Sequence, residues 1–482
     1  MTEAGRATKT RAWTPAARAL ALATAFAVAA TGIGPAAAPP AHAQAQQDDA
    51  LRGMPIIRDT EIEQLLRDYA TPILRAAGLA RQNVKVIVLG DRSFNAFVMD
   101  GRHIFINAGA LFDAKTPNEI IGVFAHETGH LAGGHMMKLR EQLANAQTAS
   151  IAAMLLGVGA MVAGARGGNG SGDIGMAALS APQAAIQRTL LAYVRTQEDQ
   201  ADHAGVKFLT ATGQSPKGML DLFTRLGNES MFNNRFVDPY LQTHPMPAER
   251  VANLAQIAHA SPYFDRKDPP ELQLRHDMMR AKLSGFMDRA DTVARRYPLG
   301  DHSLPARYAR AISAYRHADL RQAVVLIDDL IQTQPNNPYF YELKGQALLE
   351  GGKPAEAVGP LKQAKQLSQG APLIDIMLAQ ALIATNNKAV AEEAAELLRY
   401  AISREPDAPE AYAQLAMAYG RKGDIANADL ASAQAAFARG DLKTARQLAT
   451  RAKSRLPVGS PAWVRADDIV NVKPLHVRAN TN

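Results

Sequence analysis

The sequence predicts a mainly α protein in two parts: an α+β domain holding a small antiparallel sheet, then an α-solenoid of repeated helix pairs. Three observations predict it. Small and apolar residues recur at 34-residue intervals from Ala311 to Ala391. The stretch from Val84 to Asn107 leaves helical spacing for strand-like alternation. A strongly marked helix start at Thr116 opens an apolar segment that carries two histidines four positions apart. An aromatic share of 6% and abundant Ala suit helices, because Ala loses least on entering one. With 482 residues, 47% apolar and 21% charged, the chain can bury more than one ordinary globular core.

The first stretch reads as processing signal. Arg6, Lys9, Arg11 and Arg18 precede or flank the apolar run Ala19 to Ile33, and Ala41-His42-Ala43 is an A-x-A cleavage pattern. A signal peptide over residues 1–43, cut after Ala43, is the expectation. The formal charge of +7 includes +3 from residues 1–43, which leaves +4 on the mature chain and gives no case for nucleic acid. Cysteine is absent, so disulfides, thiolate metal sites and cysteine nucleophiles are excluded. Any metal must be held by His and carboxylates.

From Thr60 the apolar positions Ile62, Leu65, Leu66, Tyr69, Ile73 and Leu74 predict a helix ending near Gly78. Val84, Val86 and Val88 then alternate as in a strand. Residues 95–99 and 102–107 flank Asp100-Gly101, a two-residue hairpin signal. Thr116, Pro117 and Glu119 form a T-x-x-E start for a helix expected to run towards Leu143. Residues 149–165 are apolar with three internal glycines and lead into a glycine-rich loop; they suit a buried or lid-forming helix, with peripheral membrane contact as the alternative. Helical spacing returns from Gln183 to Leu209.

The repeat is the clearest long-range signal. Ala311, Ala314, Ala318 and Ala323 correspond at +34 to Gly345, Leu348, Gly352 and Ala357, and at a further +34 to Ala379, Leu382, Asn386 and Ala391. A step of 37 reaches Ala416, Tyr419, Gly423 and Ala428. Pro338, Pro372 and Pro409 open the last three units. This pattern resembles the tetratricopeptide repeat, in which small residues let paired helices approach and stacked pairs share a core. The chain accordingly divides into a signal peptide (1–43), a metal-binding enzyme domain (44–257), a linker and leading helix (258–304), repeats (305–457) and a C-terminal tail (458–482).

The chemistry lies in His126-Glu127-Thr128-Gly129-His130, an H-E-x-x-H motif inside the helix begun at Thr116. Residues four apart share a helix face, so both imidazoles can hold one zinc ion, and Glu127, about 100° round, can reach a water without ligating. That is the pattern of a metallopeptidase in which a carboxylate moves the proton. A third ligand is required. Glu198, in a second predicted helix, is the candidate, and Asp202 one turn on can hold a ligand imidazole by hydrogen bond. His135, about 140° off the ligand face, is set aside as a ligand, as are His103 and His203.

His126-Glu127-x-x-His130 followed by Glu198-x-x-Ala201-Asp202 resembles the metallopeptidase family of CAAX prenyl endopeptidases and the heat-shock protease HtpX. Asn95-Ala96-Phe97 and Ile106-Asn107-Ala108-Gly109-Ala110-Leu111 match that family's strand pattern before the metal helix. The resemblance implies a zincin-like domain, one Zn2+ per chain and endopeptidase activity. It further implies that His244, in Thr243-His244-Pro245-Met246-Pro247, can occupy the open metal position and gate activity, and that Arg250 orients Glu198, Asp202 or the oxyanion. Family members with a signal peptide, no membrane bundle and C-terminal repeats imply a periplasmic quality-control role, on misfolded or stalled outer-membrane proteins. The repeats would recruit clients or the barrel-assembly machinery. A chaperone or scaffold with the zinc site largely autoinhibited is the alternative reading.

Overall fold

The computed structural model describes residues 54–99, 101–148, 171–232 and 239–472. The expected signal peptide, the apolar 149–165 segment and Asp100 of the hairpin turn lie outside the described residues. By compactness, the described residues within 133–198 belong to one unit, and those within 46–132 and 199–482 to another.

In the larger unit, β1 (Ile56–Ile57) is followed by α1 (Thr60–Ala76), whose N-terminus is capped by the Asp59 carboxylate accepting from the Ile62 N–H at 2.9 Å. Its apolar face, Ile62, Leu65, Leu66, Tyr69, Ile73 and Leu74, is buried as the spacing predicts. Strands β2 (Lys85–Leu89), β3 (Ala96–Val98) and β4 (His103–Asn107) complete a sheet ordered β1-β2-β4-β3. The expected hairpin forms, with Phe97 opposite Phe105. The sheet, however, is mixed and not antiparallel. After β2 the chain runs past the middle of the sheet to its far edge and folds back, so β4 lands beside β2 in parallel, from Lys85↔His103 to Leu89↔Asn107. β4 thereby becomes a central strand, and Ile104, Phe105 and Ile106 are all buried.

Helix α2 (Ala108–Asp113) leads to α3 (Pro117–Gly133). The Thr116 hydroxyl accepts from the Glu119 N–H at 3.3 Å, and the Glu119 carboxylate reaches back to the Lys115 N–H at 3.1 Å, one residue before the cap position. α3 is shorter than expected. Gly134 takes a left-handed φ of 62°, which breaks the helix, and helical backbone resumes over 135–148. Beyond come α4 (Ser171–Ala211), α5 (Lys217–Phe232), α6 (Pro239–Thr243), α7 (Ala248–His259), α8 (Pro270–Met287) and α9 (Ala290–Arg296). In the smaller unit the Gln197 amide donates to the His135 carbonyl at 3.3 Å.

The solenoid pairs α10 (Leu304–His317) with α11 (Leu320–Thr333), α12 (Pro338–Glu350) with α13 (Pro354–Leu367), and α14 (Pro372–Ala384) with α15 (Ala391–Arg404). The pair α16 (Pro409–Lys422) and α17 (Ile425–Ala438) follows, then α18 (Leu442–Lys453) and α19 (Pro461–Asn471). The repeat register is visible in the backbone. Gly352, Asn386 and Gly423, equivalent by sequence, all take left-handed φ values, of 76°, 60° and 80°, at the turn between paired helices. At the small-residue position, a Cβ on Gly345 would meet the Leu361 side chain at 2.4 Å. The expected C-terminal tail contains α19, capped by Ser460 and packed through Ala466 and Ile469 against the apolar face of α18. Pro461 at its first turn and only two buried apolar positions left little helical pattern to read.

Candidate metal centre

Every residue of α3 from Pro117 to His130 is buried, so its histidines face protein and not solvent. The helix lies against α4 by close backbone approach: a Cβ on Gly129 would sit 2.8 Å from the Ala201 carbonyl oxygen, and one on Gly205 would sit 3.3 Å from the His126 nitrogen. Gly129 in the H-E-x-x-H motif is thus the residue that lets the two helices meet. Gly129→Ala is expected to force them apart and lower stability by about 1–3 kcal/mol, with a matching loss of metal affinity. Thermal unfolding with and without added metal checks this.

Four side chains converge. His126, His130, Glu198 and His244 are all buried, and one ligand atom from each lies within 4.8 Å of the others. The Nε2 atoms of His126 and His130 are 3.1 Å apart, and His244 Nδ1 is 3.4 Å from His126 Nε2. His126 Nδ1 lies 2.9 Å from Asp202 Oδ1. A proton on that Nδ1 directs the lone pair of Nε2 towards the other ligand atoms. Three imidazoles and a carboxylate aimed at one point form a donor set that fits a borderline divalent ion. Glu127, 1% exposed, stands beside the cluster with Oε1 3.6 Å from His244 Nε2.

The surrounding groups hold this geometry. Arg250 grips Asp202 with two bonds, Nε to Oδ2 at 2.7 Å and Nη2 to Oδ1 at 2.9 Å. Burial alone would raise the Asp202 pKa, but the Arg250 hydrogen bonds and charge, with His126, hold it below the usual carboxylate value. Of the partners the sequence left open for Arg250, the structure places it on Asp202. Its third bond, Nη1 to the Pro245 carbonyl at 3.0 Å, ties the same guanidinium to the loop that carries His244. Sequence reasoning missed Tyr240 and Phe223. Tyr240 packs its ring 4.6 Å from that of His244, and Phe223 stands edge-on to His126 at 5.4 Å while lying under Arg250. Tyr240 is four residues before His244, and its carbonyl accepts the His244 N–H at 2.7 Å, a spacing that could have flagged it.

The histidines set aside fall elsewhere. His135 is buried but outside the cluster, His203 is bonded to the Asp199 carbonyl at 2.9 Å, and His103 lies on β4 near Phe105. On the sheet, the Asn95 side-chain oxygen, at the head of edge strand β3, is buried without a hydrogen-bond partner among the described residues.

The profile of peptidase family M48 matches residues 57–258, and that of the N-terminal TPR repeats region of Psidin matches residues 313–435. The chain is similar to the beta-barrel assembly-enhancing protease of Yersinia pestis, 23% identical over 86% of this chain and 83% of that protein. The protein of the same name from Escherichia coli is 24% identical over 86% of this chain and 84% of its own length. A Vibrio cholerae relative aligns over less, 24% identical across 60% of this chain and 59% of its own length. Residues 57–258 are thus a metallopeptidase domain of family M48, joined in one chain to helix pairs of the tetratricopeptide kind.

Proposed function

We propose that this chain is a zinc-dependent endopeptidase of the periplasm that cuts outer-membrane proteins stalled in assembly, with the repeat domain recruiting them. The observation that carries the hydrolytic part is the convergence of His126, His130 and Glu198 beside the Glu127 carboxylate. The relatives' name, beta-barrel assembly-enhancing protease, supports the client class, and the apolar run Ala19 to Ile33 with its A-x-A pattern supports export.

His126, His130 and Glu198 would hold the ion. Zinc bound there would polarise the scissile carbonyl and acidify the attacking water. Glu127 takes the proton from that water and passes it to the leaving amine, as a general base and then a general acid. Asp202 keeps His126 in the tautomer that presents Nε2, and Arg250 keeps Asp202 ionised. The client binds as an added strand on β3, the edge of the sheet, where main-chain bonds favour unfolded or strand-rich polypeptide over folded protein.

In this reading His244 fills the remaining ligand position at rest and excludes the water, so the enzyme is held inactive until its loop moves. The two prolines that flank Met246 stiffen that loop, and the Arg250 bond to Pro245 anchors it. A chaperone role with the site held shut is the second reading, favoured by the position of His244 inside the ligand cluster. Metal content and cleavage of an unfolded outer-membrane protein, wild type beside His244→Ala, test the proposal. Zinc near one per chain in both, with faster cleavage in the variant, is the expected result. Absence of bound metal from both proteins, or no cleavage by either, would sink it.

A further inference from the structure

The start of α1 packs against the solenoid through charged groups that are mostly buried. Lys282, on α8, is 4% exposed and lies 2.7 Å from Asp59 Oδ2 and 3.2 Å from Glu61 Oε2. Tyr308, on α10, donates to the same Glu61 oxygen at 2.9 Å. From α12, Glu342 accepts from the Thr60 hydroxyl at 2.7 Å, while its other carboxylate oxygen is buried with no hydrogen-bond partner among the described residues. Two carboxylates therefore share one buried ammonium, and Glu342 lies within its field with one oxygen that has no hydrogen-bond partner among the described residues. Fully ionised, the cluster would carry two uncompensated negative charges in a largely buried junction.

The elements here are not equally bound. α8 belongs to the core of the metallopeptidase domain through Met279 and Leu283, and its His276 bonds to Tyr69 at 3.2 Å and to the Ala114 carbonyl at 3.0 Å. α10 is fixed to α8, where Gly285 meets Ile312. α12 packs on α10 through the shared apolar core of Phe340, Leu343, Tyr308 and Ile312, which is the pivot, and it meets α1 through Glu342 and Thr60. Among the described residues the solenoid also reaches this side by two ion pairs, Arg58 with Glu405 and Lys85 with Asp407, each with an exposed partner, which hold weakly.

We propose that this cluster is a proton-loaded latch: a proton on Glu342 keeps the second repeat closed on α1, and its loss lets the solenoid from α12 onward swing away about α8 and α10. The groups facing Glu342 are Asp59, Thr60 and Glu61 from α1, Lys282 from α8, Tyr308 from α10, and Tyr339 on its own helix. Burial, with Asp59 and Glu61, pushes the Glu342 carboxyl up to about 7 against the opposing pull of Lys282 and Thr60. Lys282 stays charged: burial lowers its pKa, but Asp59, Tyr308, Glu61 and Glu342 outweigh that. The closed form thus holds one more proton than the open form between the ordinary glutamate value of 4.5 and about 7. Closure is favoured fully below that window, weakens as pH rises through it, and levels off above. A shift of that size changes the closed-to-open ratio on the order of a hundredfold. None of its groups is a metal ligand, so it governs access to the repeats and not the chemistry.

The chain lacks cysteine, so two labels can be placed without background. Spin labels at Arg67→Cys on α1 and Ala355→Cys on α13, both exposed, report the distance across the junction in the full chain. The expected result is one narrow distance at pH 5.5 and a longer component at pH 8, with Glu342→Gln narrow at both. The same distribution at both pH values in the parent, or opening of Glu342→Gln in step with it, would overturn the latch. Lys282→Met, which strands the carboxylates, is expected to show the longer component already at pH 5.5. If circular dichroism shows Glu342→Gln unfolded, a narrow distance in Lys282→Met at both values overturns the proposal instead.

Discussion

Glu127→Gln is expected to cut peptidase turnover by about 10²–10⁴-fold while leaving bound metal unchanged. Glutamine keeps the shape and a hydrogen-bonding oxygen but cannot take the proton from the attacking water. The residue is 1% exposed in a fully buried stretch of α3, so bulk water offers no ready substitute base. His126 and His130 project from the same helix face independently of it. Loss of activity with metal retained assigns Glu127 to proton transfer; loss of both would make it part of the ligand frame. The same variant separates the two functional readings. Rescue of a deletion strain by Glu127→Gln to the level of the parent would show that cutting is not the main task.

Asp202→Ala is expected to cost more than a hydrogen bond. Asp202 is the counter-charge of Arg250, which is itself buried and bonded to it twice. Removing the carboxylate strands a guanidinium in a dry site, a loss of about 3–5 kcal/mol. It also frees the His126 ring to adopt either tautomer, which lowers metal affinity by about 10–100-fold. The double variant Asp202→Ala/Arg250→Met tells these apart. It removes the stranded charge and is expected to recover most of the thermal stability without recovering the metal affinity. If affinity returned with stability, Asp202 would be acting through the fold alone.

Much of the site was legible because its signals are local. Two histidines four residues apart need only a helix to share a face, and the Thr116 start ensured one. The pairing of Glu198 with Asp202 follows the same rule on α4. The repeat was legible for a related reason: each unit makes the same local turn, so Gly352, Asn386 and Gly423 take the same backbone form. Less was legible wherever a partner is distant in the chain. Nothing near Arg250 names Asp202 as its counter-charge, and nothing near Glu342 announces that its carboxylate is buried against α1.

By itself, then, the sequence determined the helix from Thr60, the Thr116 start of the metal helix, the repeat register, the hairpin and the spacing of the ligands, since periodicity and turn chemistry act over a few residues. The tertiary structure alone decided that β4 lies parallel to β2 and that Arg250 serves Asp202. It alone placed the Lys282 cluster in the largely buried junction between α1 and the solenoid. Each of these depends on which surfaces meet and exclude water. Burial and charge compensation belong to that meeting and have no imprint in the residues on either side taken separately.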